Sequence, residues 1–131
     1  MIPGPGPTPY ERLGGDERVR ALVDAFYRHM ECDPQYAGIR ALHPELLTGS
    51  RDKLYWFLSG WLGGPPLYFQ KRGDPRLRAR HLPFAIGANE RDQWLACMRQ
   101  ALLEIGADEP LTRELMRAFG NTADFMRNRD D

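Results

Sequence analysis

The histidines are the residues of this chain with the widest range of chemistry, and there are three: His29, His43 and His81. No two of them stand three or four residues apart, so no helix offers a pair of imidazoles to a metal. His81 ends a short helical segment just before a Leu-Pro break, and Trp94 lies on the apolar face of the next predicted helix. One inward imidazole in an apolar helical protein is enough for a haem, which needs a single axial ligand and a dry pocket. By spacing alone, a surface histidine and a core tryptophan remain the more common interpretation.

Composition excludes several other classes of function. The chain has 131 residues, with 18 basic and 18 acidic side chains. This balance argues against a general nucleic-acid binder and against a polybasic membrane patch, and no apolar stretch approaches the roughly 20 residues of a membrane span. The motifs of hydrolases, kinases and dinucleotide enzymes are absent. Cys32 and Cys97 are not part of a CxxC pair, so we expect two free thiols and a cytoplasmic location.

The hydrophobic periodicity predicts an all-α protein. Four substantial helices are expected near 16–31, 50–62, 89–105 and 110–127, together with short ones. We expect Asp16, Ser50 or Thr48, and Asn89 to cap the first three of these helices.

Shorter segments complete the predicted organisation. Residues 67–73 are expected to be a connector, and Asp74-Pro75 to begin a short helix that Pro83 ends, with Leu77 and His81 on one face. The Pro/Gly-rich residues 1–9 are expected to be a flexible leader, followed by a single domain over 10–131.

Six segments carry a resemblance to a known family. They are YERLGG from Tyr10, the pair Phe26-Tyr27, HPE from His43, FLSGWLGGP from Phe57, GDPRLRARHLPF from Gly73 and ERDQWLACM from Glu90. In this order and spacing, the chain resembles the truncated haemoglobins of group II, also called 2-over-2 globins. The resemblance covers nearly the whole chain from about Tyr10 and implies a globin-like 2-over-2 sandwich of α-helices that binds haem b.

The resemblance also implies roles for individual residues. His81 corresponds to the proximal ligand of the haem iron. Tyr27, Trp94 and His43 correspond to polar residues on the distal side, where the indole N–H of Trp94 can donate a hydrogen bond to a bound ligand. Ser50 and Leu54 correspond to the positions of the distal helix nearest the iron.

Further residues are expected to hold the porphyrin. The expected apolar wall consists of Leu54, Phe57, Leu58, Leu82, Phe84, Ile86 and Met98. The candidates for pairing with the propionates are Lys53, Tyr68, Arg78 and Arg80. Arginine suits carboxylates because its guanidinium can donate two parallel hydrogen bonds.

The function implied is binding of O2, and of other diatomic ligands such as CO or NO, at a ferrous iron with one open position. Slow O2 dissociation is expected, and hence poor bulk transport. An alternative is a haem redox enzyme, a nitric oxide dioxygenase or a peroxidase, which would need a separate reductase. A third alternative is a helical interaction module that has lost haem. A monomer and a homodimer remain equally open.

Overall fold

The computed structural model describes residues 6–129, and the part of the expected leader before Gly6 lies outside them, as do residues 130–131. The described residues form helices and contain no strand, so the prediction of an all-α protein is confirmed. The helices are α1 (Pro9–Leu13), α2 (Asp16–Cys32), α3 (Ala37–Ala41), α4 (Thr48–Trp61), α5 (Leu67–Arg72), α6 (Leu77–His81), α7 (Ala88–Glu104) and α8 (Glu109–Phe125), with a 3₁₀ turn at Pro34–Tyr36 before α3. None of the helices in this part of the chain is long and apolar enough to cross a membrane.

The four long helices lie within two residues of their predicted bounds, but the N-caps predicted for the first three are wrong. Gly15, Leu47 and Gly87 precede α2, α4 and α7 in place of the expected Asp16, Ser50 or Thr48, and Asn89. At α7 the side chain of Glu90 accepts a hydrogen bond from the Gly87 backbone N–H at 2.8 Å. An acidic side chain in the first turn can therefore satisfy a free amide without any polar N-cap side chain.

The segment between α4 and α7 differs most from the prediction. Helix α5 occupies Leu67–Arg72, where a connector over residues 67–73 was expected. Helix α6 starts at Leu77, two residues later than predicted, because the Asp74 carboxylate accepts a hydrogen bond from the Arg76 N–H at 3.0 Å. Arg76 itself has a positive φ of 45°, a conformation that delays the helix. The short helix that carries His81 is thus five residues long.

The long helices pack in two crossed pairs. Helix α2 packs against α4, α7 packs against α8, and α2 also contacts α7 across the middle of the domain. The apolar stripe of α2 supplies much of the core through Val19, Leu22, Phe26 and Met30, which are almost fully buried. Of the short helices, α3 packs against α2 and α7, and α5 packs against α4.

Candidate functional site

A mainly apolar cavity of about 530 Å³ is lined by side chains from both helix pairs and from α5 and α6. This volume is in the range of sites that bind small ligands and cofactors. The predicted site residues on its wall are Tyr27, His43, Ser50, Lys53, Leu54, Phe57, Leu58, Tyr68, Arg80, His81, Phe84, Ile86 and Trp94. The structure therefore brings together six segments of the chain, from Tyr27 to Trp94, around one cavity.

A second cavity, of about 500 Å³, lies between α2 and the beginning of α4. Charged side chains dominate its wall, among them Arg20, Asp24, Arg51 and Asp52. The predicted site residues lie on the first cavity, which is therefore the candidate functional site.

His81 lies on the cavity wall at the end of α6 and is partly buried. Its Nδ1 is 2.5 Å from the backbone carbonyl oxygen of Leu77, one turn earlier. A carbonyl oxygen can only accept, so Nδ1 carries the proton and Nε2 has the free lone pair. A metal-binding histidine typically donates its other N–H in this way, which fixes the tautomer and makes the ring a better ligand.

Tyr27 projects from α2 and only 4 % of its surface is exposed. Its hydroxyl donates a hydrogen bond to the backbone carbonyl oxygen of Ser50, at 3.2 Å. Burial raises the pKa of the Tyr27 phenol far above its usual range, so the phenol keeps its proton and remains a hydrogen-bond donor.

His43 stands beside Tyr27, with the two rings edge to face and their centroids 5.9 Å apart. Its Nδ1 is 2.8 Å from the Ile39 carbonyl oxygen and therefore donates to it. Burial, together with a smaller contribution from the positive charge of Arg40, lowers the pKa of His43, whereas the hydrogen bond to Ile39 opposes the shift. The neutral ring then offers Nε2 as an acceptor, so His43 in this state cannot donate a hydrogen bond to a ligand.

Trp94 lies on α7 within a cluster of aromatic rings. Its ring centroid is 5.4 Å from those of Phe26 and Phe119. Within residues 6–129, no hydrogen-bond acceptor takes its indole N–H. Trp94 thus brings an uncommitted donor to the cavity wall, whereas the hydroxyl of Tyr27 is already bonded to the protein.

Two basic residues on the wall differ in how they are held. Arg80 donates a hydrogen bond from Nε to the Pro75 carbonyl oxygen at 2.7 Å, and its guanidinium lies 5.8 Å from the ring centroid of Tyr68. Lys53 on α4 is exposed and forms no ion pair with a carboxylate of the described residues. Both cations are available to carboxylates of a bound molecule.

Three expected cofactor contacts, Arg78, Leu82 and Met98, lie away from the cavity wall. Arg78 donates hydrogen bonds to the carbonyl oxygens of Phe125 and Arg127, at 2.8 and 3.2 Å. Leu82 is 54 % exposed, and Met98 is completely buried in the core. Residues two positions apart on a helix point in nearly opposite directions, which is why the side chains of Arg78 and Arg80 lie on different faces of α6.

Several wall residues were missed by sequence reasoning. Trp61 and Phe119 stack with ring centroids 4.5 Å apart, and both line the cavity. Each lies on the apolar stripe of its helix, and a stripe does not reveal where a cavity interrupts the core. Arg91 also lines the cavity but is paired with Asp124 at 2.7 Å.

The few metal-binding atoms on the cavity wall suit a metal ion that is bound as part of a larger cofactor. His81 and His43 each offer one imidazole nitrogen, and the rest of the wall is mainly apolar with cations from Lys53 and Arg80. A haem needs one axial imidazole, a dry cavity for its porphyrin and positive charge for its carboxylates. The residues present therefore fit a haem.

The comparisons with known proteins agree with this fold and site. The sequence model of the family described as Bacterial-like globin matches residues 8–128. The Group 2 truncated hemoglobin YjbI of Bacillus subtilis (strain 168) is 38 % identical over 124 residues, which cover 95 % of this chain and 91 % of that protein.

Two solved structures are similar to the whole domain. The Group II 2-on-2 hemoglobin from the plant pathogen Agrobacterium tumefaciens is 42 % identical with a TM-score of 0.92, over 98 % of this chain and 100 % of that one. The truncated oxygen-avid haemoglobin from Bacillus subtilis is 38 % identical with a TM-score of 0.84, over 93 % and 100 %.

An all-α domain with an imidazole available to a metal on the wall of an apolar cavity has the architecture of a globin. The chain belongs to the bacterial-like globin family. The predicted resemblance to the group II truncated haemoglobins and the predicted 2-over-2 fold are confirmed. Membership of this family implies haem binding and a diatomic gas ligand as the general function.

Proposed function

We propose that the protein binds O2, and other diatomic ligands such as CO and NO, at a ferrous haem b whose iron is held by Nε2 of His81. The observation that carries this proposal is the commitment of His81 Nδ1 to the Leu77 carbonyl oxygen, which leaves Nε2 as the free nitrogen on an apolar cavity wall. The similarity to a haemoglobin described as oxygen-avid supports O2 as the ligand.

The haem would supply one open coordination position for the gas. On the distal side, Trp94 has a free indole N–H, and Tyr27 has a protonated phenol. Each hydrogen bond to a ligand that gains negative charge contributes about 1.5–3 kcal/mol. Leu54, Phe57 and Leu58 make the surrounding wall apolar, which excludes water and strengthens these hydrogen bonds.

Lys53 and Arg80 are proposed to pair with the carboxylates of the haem. Both line the cavity, and the guanidinium of Arg80 is already oriented by Pro75 and Tyr68. Arg78 is not included, because its guanidinium is bonded to the carbonyl oxygens of Phe125 and Arg127.

The test is reconstitution of the purified protein with hemin. We expect a Soret band and, after reduction, the spectrum of a ferrous haem bound by one imidazole. Replacing His81 by alanine should remove the imidazole ligand, and added free imidazole should restore it. Replacing His29, which lies outside the cavity, by alanine serves as the matched control and should leave the spectrum unchanged. A His81→Ala protein with the wild-type iron–histidine signal would refute the proposal.

His43 supports a second candidate function, a haem peroxidase activity. Its neutral ring offers the Nε2 lone pair on the cavity wall, where it could accept a proton from a hydroperoxide. Such an activity, like nitric oxide dioxygenation, would need electrons from a separate reductase. Peroxidase turnover that persists unchanged in His43→Phe would exclude this role for His43.

The cytoplasmic location, and the choice between monomer and homodimer, remain predictions.

A further inference from the structure

Helix α6, which carries His81, receives little support from burial. It runs over Leu77–His81, and none of its residues is buried. It follows Arg76 in a left-handed conformation and is stopped by Pro83. A helix of five residues is not stable on its own, since the conformational entropy lost in forming its first turn outweighs the hydrogen bonds gained. The orientation of the His81 ring must therefore depend on contacts made by other elements.

Asn128 makes the most extensive of these contacts. Its amide Nδ2 donates hydrogen bonds to the Phe84 carbonyl oxygen at 2.8 Å and to the His81 carbonyl oxygen at 3.3 Å. Its Oδ1 accepts a hydrogen bond from the Ile86 N–H at 2.9 Å. One side chain thus satisfies three backbone groups of the loop that begins at the candidate iron ligand.

The backbone of the same segment continues this contact. The N–H groups of Asn128 and Arg129 both donate to the Ile86 carbonyl oxygen, at 2.8 and 3.1 Å. The Arg127 carbonyl oxygen accepts a hydrogen bond from Arg78, on α6, at 3.2 Å. We call residues 127–129 the C-terminal clasp, since they bind α6 and the loop after it from one side.

We propose that Asn128 is a positioning residue for His81, acting through the C-terminal clasp to fix α6 and the imidazole orientation. This inference rests on the proposed function, in which His81 holds the iron. Helix α6 must stay in place for His81 Nδ1 to keep its hydrogen bond to the Leu77 carbonyl oxygen. That hydrogen bond makes the imidazole a stronger ligand, so loosening the clasp weakens the iron–histidine bond.

The test compares Asn128→Asp and Asn128→Ala in the haem-reconstituted protein. The aspartate has the same shape and can still accept from Ile86, but it cannot donate to His81 or Phe84. The matched controls are Asn121→Asp and Asn121→Ala, at an exposed asparagine on α8. We expect the iron–histidine stretching band in the resonance Raman spectrum of the ferrous protein to move to lower frequency in both Asn128 variants and in neither control.

A second readout needs no haem. In the haem-free protein, amide hydrogen exchange over residues 77–86 should become about tenfold faster in Asn128→Ala, as expected for the loss of two or three hydrogen bonds. Should Asn128→Ala lose its helical circular dichroism, the isosteric Asn128→Asp carries the comparison.

The outcomes separate this inference from the function on which it rests. A wild-type iron–histidine band that stays unchanged in both Asn128 variants overturns the positioning role and leaves the haem proposal standing. A wild-type protein that takes up hemin without any such band overturns both. Faster amide exchange with an unmoved Raman band also overturns the positioning role, since it shows that the clasp stabilises the loop without acting on His81.

Discussion

The three distal residues, Tyr27, His43 and Trp94, differ in whether their hydrogen-bond donors already have a partner within the protein. This difference predicts how strongly each residue affects the rate of ligand release. Trp94 has a free N–H on the cavity wall, whereas the hydroxyl of Tyr27 donates to the Ser50 carbonyl oxygen. His43 already donates from Nδ1 to Ile39 and offers a ligand only the acceptor Nε2. The family resemblance had implied three polar residues on the distal side without distinguishing their hydrogen-bonding states. The hydrogen-bond partners of Tyr27 and His43 are backbone carbonyl groups, and a pattern of residue types cannot reveal which carbonyl lies within reach.

Replacing Trp94 by phenylalanine is expected to speed O2 dissociation about tenfold or more, because one hydrogen bond to a charged acceptor is lost. The rate is measured by stopped-flow mixing of the oxygenated ferrous protein with a ligand that captures the vacant site. Trp56→Phe is the matched control, since this tryptophan lies on α4 under Lys71 and away from the cavity. Equal rates in wild type and Trp94→Phe would exclude Trp94 as the main donor.

Replacing Tyr27 by phenylalanine is expected to change O2 dissociation less than Trp94→Phe does. The phenol hydrogen must leave, or be shared with, the Ser50 carbonyl oxygen before it can stabilise a ligand, and this competition reduces its net contribution. The same stopped-flow measurement ranks the two variants. The reverse ranking would mean that ligand binding draws the hydroxyl away from Ser50.

Among the helices, sequence reasoning succeeded where the apolar period was long and failed where local hydrogen bonds decide the conformation. The four long helices follow from periodicity, because burial of a continuous stripe dominates their stability. Helix α5 was missed. The start of α6 was predicted too early, because a hydrogen bond to the Asp74 side chain and the positive φ of Arg76 set that boundary. The sequence could not decide between Arg78 and Arg80 as cofactor contacts, because it does not show that Arg78 bonds to the carbonyl oxygens of Phe125 and Arg127.

The N-cap of α8 provides a test at the level of a single helix. The Asp108 carboxylate accepts a hydrogen bond from the Leu111 N–H at 2.8 Å. Replacing Asp108 by alanine is expected to lower the free energy of unfolding by about 1 kcal/mol, whereas Asp108→Ser should retain most of the stability. Urea unfolding of the haem-free protein measures both values. Equal losses in the two variants would contradict a capping role.

For the whole molecule, the site is a gap left by the packing of the core. The same apolar stripes supply the core, through residues such as Met98, and the cavity wall, through Trp61 and Phe119. The sequence could therefore predict which faces point inward but could not separate core from cavity. Met98, which was expected on the porphyrin wall, lies in the core for this reason.

The burial of His43 connects the cavity to the stability of the whole domain. Its pKa in the folded protein lies below the ordinary value of 6.5 that it has in the unfolded chain, chiefly because burial disfavours the charged ring. Between these two pKa values the unfolded chain binds more protons than the folded one, so the stability rises with pH. The contribution of His43 is fully present above pH 6.5 and is lost as the pH falls through the folded pKa.

We therefore expect the free energy of unfolding of the haem-free protein to fall between about pH 7.5 and about pH 5.5, and the fall to be smaller in His43→Phe. The pKa values of Asp16, Asp33 and Asp124 are all lowered from 3.8 by hydrogen bonds, so these carboxyl groups stay ionised throughout this range. His29→Gln is the control and should retain the decline caused by His43. Urea unfolding across the range measures the slope, and an identical slope in wild type and His43→Phe would show that the buried ring does not couple protonation to folding.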